Sequence, residues 1–213
     1  MLSLKLHCMD LAFEAAFLNV CLLCILTVPH EFAHAWMASK LGDDTPEQEG
    51  RLTLYPPAHL ELFGSIILPA VTSLLAGGFI GWGRPVNTNP SKLKYGLNGL
   101  AMVALAGPAS NMLLAILFAG LSVLAGRSVA AASEVAQRAA LLSVYLGLFN
   151  LLPVPPLDGS KLLIAMRFPV AVYVELARFG FILLLLAMSL TNLGGYLSHY
   201  SLRITEFFFG LFY

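Results

Sequence analysis

The chain has 213 residues, 58% of them apolar and only 11% charged, against roughly 25% charged in an ordinary soluble domain. Such hydrophobicity excludes a disordered chain, and so few charges cannot clothe a water-soluble globule. Twelve Lys and Arg balance twelve Asp and Glu, which gives no electrostatic footing for a nucleic-acid partner. The fold class that remains is all-α, a polytopic membrane helical bundle with room for at most about six or seven spans of roughly 20 residues.

The first apolar stretch, Leu11 to Leu41, predicts one long helix ended by Gly42. Cys21 and Cys24 lie one helical turn apart inside it and read as a buried thiol pair. With Cys8 the cysteines number three, which suits no disulfide framework. Asp10 and Glu14 follow Lys5, so no cleavable leader is expected. The acidic DDTPEQEG run and RLTLYPPAHLEL then form a polar connection, with Arg51–Tyr55 expected as a short β-like element. A second apolar stretch, Leu62 to Trp82, contains Pro69 and the Gly77-Gly78 pair, both poor for a straight helix. GWGRPVNTNPSKLK reads as extended chain, because Pro85 and Pro90 forbid regular helix, and Gly81–Asn89 is a second possible β-like piece. Leu97 to Ala125 is a good spanning helix, and Gly126 to Arg138 reads as a loop or surface turn. A short stretch, Ala139 to Leu152, ends in LLPVPPLDG, and a last apolar stretch runs from Val170 to Leu193. The tail from Tyr196 to Tyr213 is aromatic and weakly amphipathic, as interfacial helices are. The whole reads as a single membrane-embedded unit, residues 1–213, with its core at 11–193 and an interfacial tail at 196–213.

The sharpest chemical signal is His30-Glu31-Phe32-Ala33-His34. On a helix, positions i and i+4 lie one above the other, so His30 and His34 can present two imidazoles to one metal ion. Glu31 sits beside them, where a carboxylate can take a proton from water on the metal. A charged carboxylate at that depth of an apolar helix costs about 2.5–3.5 kcal/mol on insertion scales, a cost that points to function. A zinc site of this kind needs a third protein ligand. His7, His59 and His199 are the remaining histidines, and Asp158 is the acid most clearly held at a proline-rich turn inside the apolar region. Asn150 ends the preceding helix, where its amide could donate to a carbonyl under attack, as oxyanion-hole amides do. Trp36 and Trp82 suit anchoring at the membrane interface, and Phe207, Phe208 and Phe209 suit lipid contact.

HEFAHAW, then GDDTPEQEGRLTLYP, LAGPASN and NLLPVPPLDG in that order resemble the site-2 protease family of intramembrane zinc metalloproteases, over roughly Thr27 to Leu163. The resemblance implies one Zn2+ per chain held by His30, His34 and Asp158, with Glu31 as catalytic base and Asn150 holding the substrate carbonyl. It also matches Gly107, Pro108 and Asn111 to the family's G-P-x-x-N helix; on spacing alone this motif reads first as close helix packing. The nearest subgroup is the minimal one without PDZ or CBS domains. The chain departs from it at Tyr55, at Leu60-Glu61 and in GWGRPVNTNP. The implied activity is hydrolysis of peptide bonds in or near transmembrane segments, with a transmembrane protein as substrate, the lipid bilayer as environment and no nucleic acid. Two other readings stay open: a catalytically silent homologue that binds membrane helices, and a metal-ion transporter.

Two further expectations follow. His30 and Asp158 must lie at similar depth, yet three apolar stretches separate them, so one must fold back; Leu62–Trp82 is the best choice. Lys40, Arg51, Arg84, Lys92, Lys94, Lys161, Arg167 and Arg178 then share one face, and Lys5, Arg127, Arg138 and Arg203 the other. By the positive-inside rule this puts the active site toward the cytoplasmic side, in a prokaryotic cell membrane. The second concerns how a helix is cut. Its carbonyls are tied up in i→i−4 bonds, so an extended edge that pairs with the unwound substrate would free one. Gly81, Gly83, Val86 and Asn87 are the expected substrate-binding residues on that edge.

Overall fold

A computed structural model describes residues 2–76, 81–126 and 128–212, apart from the side chains of 2–12 and 75–76. The Gly77-Gly78 pair, Arg127 and Tyr213 lie outside the described residues, as do the side chains of Lys5, His7, Cys8 and Asp10. The described residues are helical with no strand, in keeping with the all-α class. Helix α1 spans Leu2–Lys40, starting nine residues before the apolar stretch itself. Gly42 ends the run with a positive φ of 98°, a conformation that other residues rarely adopt. Short helices α2 (Thr45–Gln48) and α3 (Pro56–His59) fill the polar connection.

Arg51–Tyr55 is a bend rather than a strand. Its polar groups are taken locally: the Thr53 carbonyl accepts from His59 Nε2 at 2.6 Å, and the Tyr55 amide donates to Thr53 Oγ1 at 3.1 Å. A π-helical turn, Leu62–Ile67, leads into α4, Leu68–Ala76. Together these elements rise about 20 Å, well short of the ~30 Å hydrocarbon core. The chain then returns to where it left. The Lys94 amide donates to the Leu41 carbonyl at 2.7 Å, and Ala38, Leu41, Leu93, Leu100 and Val103 form one buried cluster. The end of α1 and the start of α5 (Leu97–Gly126) are therefore neighbours, and the segment between them does not cross the bundle.

Helix α6 is Ala130–Asn150, so the turn expected over Gly126–Arg138 contracts: most of that stretch is helix. The alanine-rich AAASEVAQR segment favours helix from its first residue, which explains the contraction. α7 (Asp158–Ala165) follows the proline turn, and α8 (Val170–Leu190) and α9 (Leu193–Phe209) complete the chain. Phe13–Lys40, Leu97–Gly126 and Val170–Leu190 are long and apolar enough to cross a membrane. Their outward surfaces are apolar: Leu113, Leu117 and Leu124 on α5, and Ile182, Leu186 and Leu190 on α8, are all exposed. In water such a surface would far exceed the patches soluble monomers tolerate; in lipid it costs nothing. α9 turns Leu197, Ser201 and Thr205, one residue per turn, inward and leaves Tyr196, Tyr200 and Phe207 outside.

The interior is built around α1. Leu23 and Leu26 pack with Leu146 of α6 on one side of the HEFAH turn, and Ala38 and Leu41 pack with α5 on the other. Cys21 and Cys24 are free thiols; Cys24 Sγ reaches the Ser65 carbonyl at 3.6 Å. Because residues 41–94 leave and return at one end, Ser91→Cys and Ser128→Cys should react with an impermeant maleimide from opposite sides of sealed vesicles. Labelling of both from one side would contradict this topology.

Candidate metal centre

Two helices bring three side chains to one point. α1 supplies His30 and His34, and the first turn of α7 supplies Asp158, 3%, 3% and 7% exposed respectively. Asp158 Oδ2 lies 3.1 Å from His30 Nε2 and 2.9 Å from His34 Nε2, and the two Nε2 atoms are 3.2 Å apart. The second oxygen, Oδ1, accepts from Lys161 Nζ at 2.9 Å. Among the described residues this is the one His/Cys/Asp/Glu group whose ligand atoms converge for a metal ion.

Helix α5 decides which nitrogens face that point. His34 Nδ1 lies 2.7 Å from the Val103 carbonyl, an acceptor only, so Nδ1 carries the proton and donates. In neutral His34, Nε2 is then a bare lone pair aimed at a carboxylate oxygen. Two acceptors 2.9 Å apart repel unless a positive charge lies between them. Three ligand atoms around a tetrahedral zinc would lie about 3.3 Å from one another, close to the spacings found. His30 Nδ1 meets the side-chain amide of Asn111 at 3.1 Å. A His30 that gives Nε2 to a metal keeps its proton on Nδ1 and needs an acceptor there. The Asn111 amide oxygen, buried and without a partner among the described residues, is that acceptor once the amide is turned. The donor set therefore fits zinc.

The G-P-x-x-N motif does more than pack helices. A Cβ at Gly107 would lie 2.3 Å from His34 Nε2 and 2.7 Å from His30 Cε1, so any side chain there would occupy the centre. Asn111 is fully buried, and its backbone carbonyl accepts from Ser143 Oγ of α6 at 2.8 Å. The i, i+4 spacing of Gly107 and Asn111, matching that of His30 and His34, was the available signal for this role.

Glu31 is buried beside the histidines, within electrostatic reach of His30, Asp158 and Lys161, and its carboxylate accepts from the Val86 amide. The segment from Gly81 onward is pinned along one edge. The Trp82 amide donates to the Gly64 carbonyl at 3.0 Å, and the Arg84 amide to the His59 carbonyl at 2.8 Å. The Trp82 carbonyl accepts from Ser65 Oγ at 2.8 Å, and the Asn89 amide donates to Asp43 Oδ2 at 2.6 Å. Amides of alternate residues 82, 84 and 86 thus turn inward, as along one edge of an extended chain. Those of Gly81, Gly83 and Asn87 have no partner among the described residues. Val86 is buried on the inner edge, so it separates from the other three expected substrate-binding residues. A Cβ at Gly83 would sit 2.5 Å from Thr27 Cγ2 and 3.1 Å from Glu31 Oε1, so glycine keeps the segment against α1.

The remaining residues divide. Asn150 is half-buried at the end of α6, and its amide donates to Leu146 O at 3.0 Å, one turn back on its own helix rather than toward the centre. His59 is fully buried at the end of α3. Burial, with the charge of Arg51 adding to it, pushes its imidazole below the ordinary value against the pull of the Thr53 carbonyl. Arg51 itself is buried and donates to the Ala58 carbonyl, which sequence reasoning missed; a lone arginine in a polar connection gives no signal of it. Trp82 packs on Phe63 and edge-on to Phe181 of α8, so it is an internal brace as well as a surface residue. Gly107→Ala should cost at least about 10–100-fold in zinc affinity, as losses around metal ligands typically do, measured by chelator competition. Wild-type affinity in that variant would contradict the packing described.

The chain matches Peptidase family M50 over residues 125–188. A protein of Bacillus subtilis (strain 168) named YwhC is 39% identical over 178 residues, 78% of this chain and 77% of the relative. Rip2 of Mycolicibacterium smegmatis is 36% identical over 133 residues, 61% of this chain and 49% of its own length. Rip3 of Mycobacterium tuberculosis is 32% identical over 135 residues, 62% of this chain and 26% of its own length. All three carry the name "Putative zinc metalloprotease". No solved structure matches. With its zinc-type donor set and its likeness to YwhC over most of both chains, the protein belongs to Peptidase family M50, the site-2 protease family of zinc metalloproteases.

Proposed function

We propose that this chain is a zinc endopeptidase that hydrolyses peptide bonds in or near the transmembrane segments of membrane proteins. The observation that carries the reading is the bare Nε2 of His34 facing the Asp158 carboxylate, with Glu31 buried beside them. His30, His34 and Asp158 would hold the ion. Bound there, zinc supplies Lewis-acid polarisation of a carbonyl and acidifies water.

The protein's own groups do the rest. Glu31 accepts the proton of the attacking water and passes it to the leaving amine. The Val86 amide orients the Glu31 carboxylate for this transfer. Asn150 is the proposed oxyanion donor; it would exchange its bond to Leu146 for one to the substrate. The amides of Gly81, Gly83 and Asn87 would pair with an unwound substrate strand, and that pairing holds a scissile carbonyl free of its helix. The burial of the whole centre in an apolar bundle supports a substrate that arrives through lipid. The basic residues near Lys40 and Lys94 support a site on the cytoplasmic side.

Glu31→Gln should keep zinc and lose cleavage by about 10²–10⁴-fold, since only the proton acceptor goes. Metal analysis beside cleavage of a single-span test protein in proteoliposomes measures both, and an active Glu31→Gln protein would sink the mechanism. The edge has its own check. Asn87→Pro removes one of these amides, whereas Asn87→Ala removes only the side-chain contacts with Glu49. Cleavage of an intact helical substrate should fall in the first variant alone, with zinc unchanged. Helix-breaking residues in the substrate should partly restore it. Equal rates for the two variants would remove this edge from the mechanism.

A further inference from the structure

The carboxylate of Asp158 is divided between two kinds of partner. Oδ2 faces both histidines at 3.1 and 2.9 Å, while Oδ1 is held by the Lys161 ammonium at 2.9 Å. Asp158 opens α7, and Lys161 lies three residues on, over the same face. A cation in the first turn of a helix opposes the macrodipole, so helix stability gives no reason for a lysine at this position. Its side chain is 28% exposed against 9% for that of Asp158, so its stem reaches inward from the rim of the site.

We propose that Lys161 is a positioning residue that restricts Asp158 to one-oxygen ligation of the metal. The proposal rests on the metal-centre reading above. A carboxylate with both oxygens free closes on an ion as a two-toothed ligand and fills a position on it. An oxygen held by an ammonium is drawn away from the ion and is a weaker donor to it. Lys161 thereby keeps a coordination position open for water and for the substrate carbonyl, as a catalytic zinc site requires. It also withdraws charge from Asp158, so the carboxylate neutralises less of the ion's charge. The role differs from that of Asn111 and Val103, which orient the histidines. Those partners favour metal binding, whereas Lys161 limits it for the sake of reactivity.

The test uses the full chain in detergent micelles, with Co2+ in place of Zn2+ for spectroscopy and Zn2+ for affinity and cleavage. Visible absorption of cobalt is strong in four-coordinate sites and weak in higher coordination, so it reports the binding mode of Asp158. Wild type and Lys161→Arg should give the strong bands. Lys161→Met, which keeps the length and loses the charge, should give weaker bands. Its zinc affinity should be equal or tighter by chelator competition, and its cleavage about 10–100-fold slower, the size of effect seen for groups behind metal ligands. A merely structural lysine would show the reverse: weaker zinc binding, an unchanged cobalt spectrum and activity recovered at saturating zinc. That pattern, or wild-type behaviour of Lys161→Met in all three readouts, would overturn the proposal. The spectral and affinity measurements need no substrate. A wild-type protein that binds cobalt yet cuts nothing would count against the proteolytic reading alone, and the spectra would still decide the role of Lys161.

Discussion

Everything in this molecule turns on a cluster of like lone pairs that must share one positive charge. In neutral His34 the proton sits on Nδ1 against the Val103 carbonyl, and Nε2 is then an acceptor pointed at another acceptor, Asp158 Oδ2. An apolar bundle cannot dilute that repulsion with water. The protein instead assembles around it. Gly107 lets α5 come within contact of both imidazoles, Asn111 stands behind His30, and the proline turn delivers Asp158 to the same depth. A cation at the centre converts the least favourable feature of the fold into its main cross-link between α1 and α7.

The same constraint explains the chain's return at Leu41 and Lys94. Had the 41–94 segment crossed the bundle, α5 would run in the opposite sense and present different residues to the histidines. By turning back it supplies something a helix cannot, an extended stretch whose inner amides are spent on Gly64, His59 and Glu31 and whose amides at Gly81, Gly83 and Asn87 have no partner among the described residues. The pinning is dense on one side only. Ser65 and Glu31 hold the inner edge with their side chains, and Asp43 anchors the segment further on, at Asn89. The segment and Glu31 are thus joined by a hydrogen bond at Val86.

Much of this was legible in the sequence, and the rest failed for identifiable reasons. HEFAH carries its geometry in its spacing, so the pairing of His30 and His34 could be read from one helix turn; the proline-rich break marked Asp158 as a candidate third ligand, and the family resemblance completed the set. Pro69, the Gly77-Gly78 pair and the proline-bearing chain after them carried the fold-back. The strand expected at Arg51–Tyr55 did not form, because Thr53 and Tyr55 found local partners and no neighbouring strand competed for them. Gly107 and Asn111 read first as packing, since small residues on a membrane helix have that role by default; only the 2.3 Å approach to His34 reveals the other. Val86 read as part of the outer edge because alternation gives a period but not a phase. Its phase is set by Glu31, 55 residues away in sequence. Arg51, which ties the connection together through backbone carbonyls, left no pattern to read.

The central claim is that His30, His34 and Asp158 hold one zinc ion with an open position. X-ray absorption at the zinc edge, on the full chain loaded with one equivalent, tests it most directly. The account predicts a shell of nitrogen and oxygen scatterers at about 2.0–2.2 Å with the multiple-scattering signature of two imidazoles, and its loss in Asp158→Ala. A sulfur shell at about 2.3 Å, which would place the metal on Cys21 and Cys24, or a spectrum without imidazole, would contradict it.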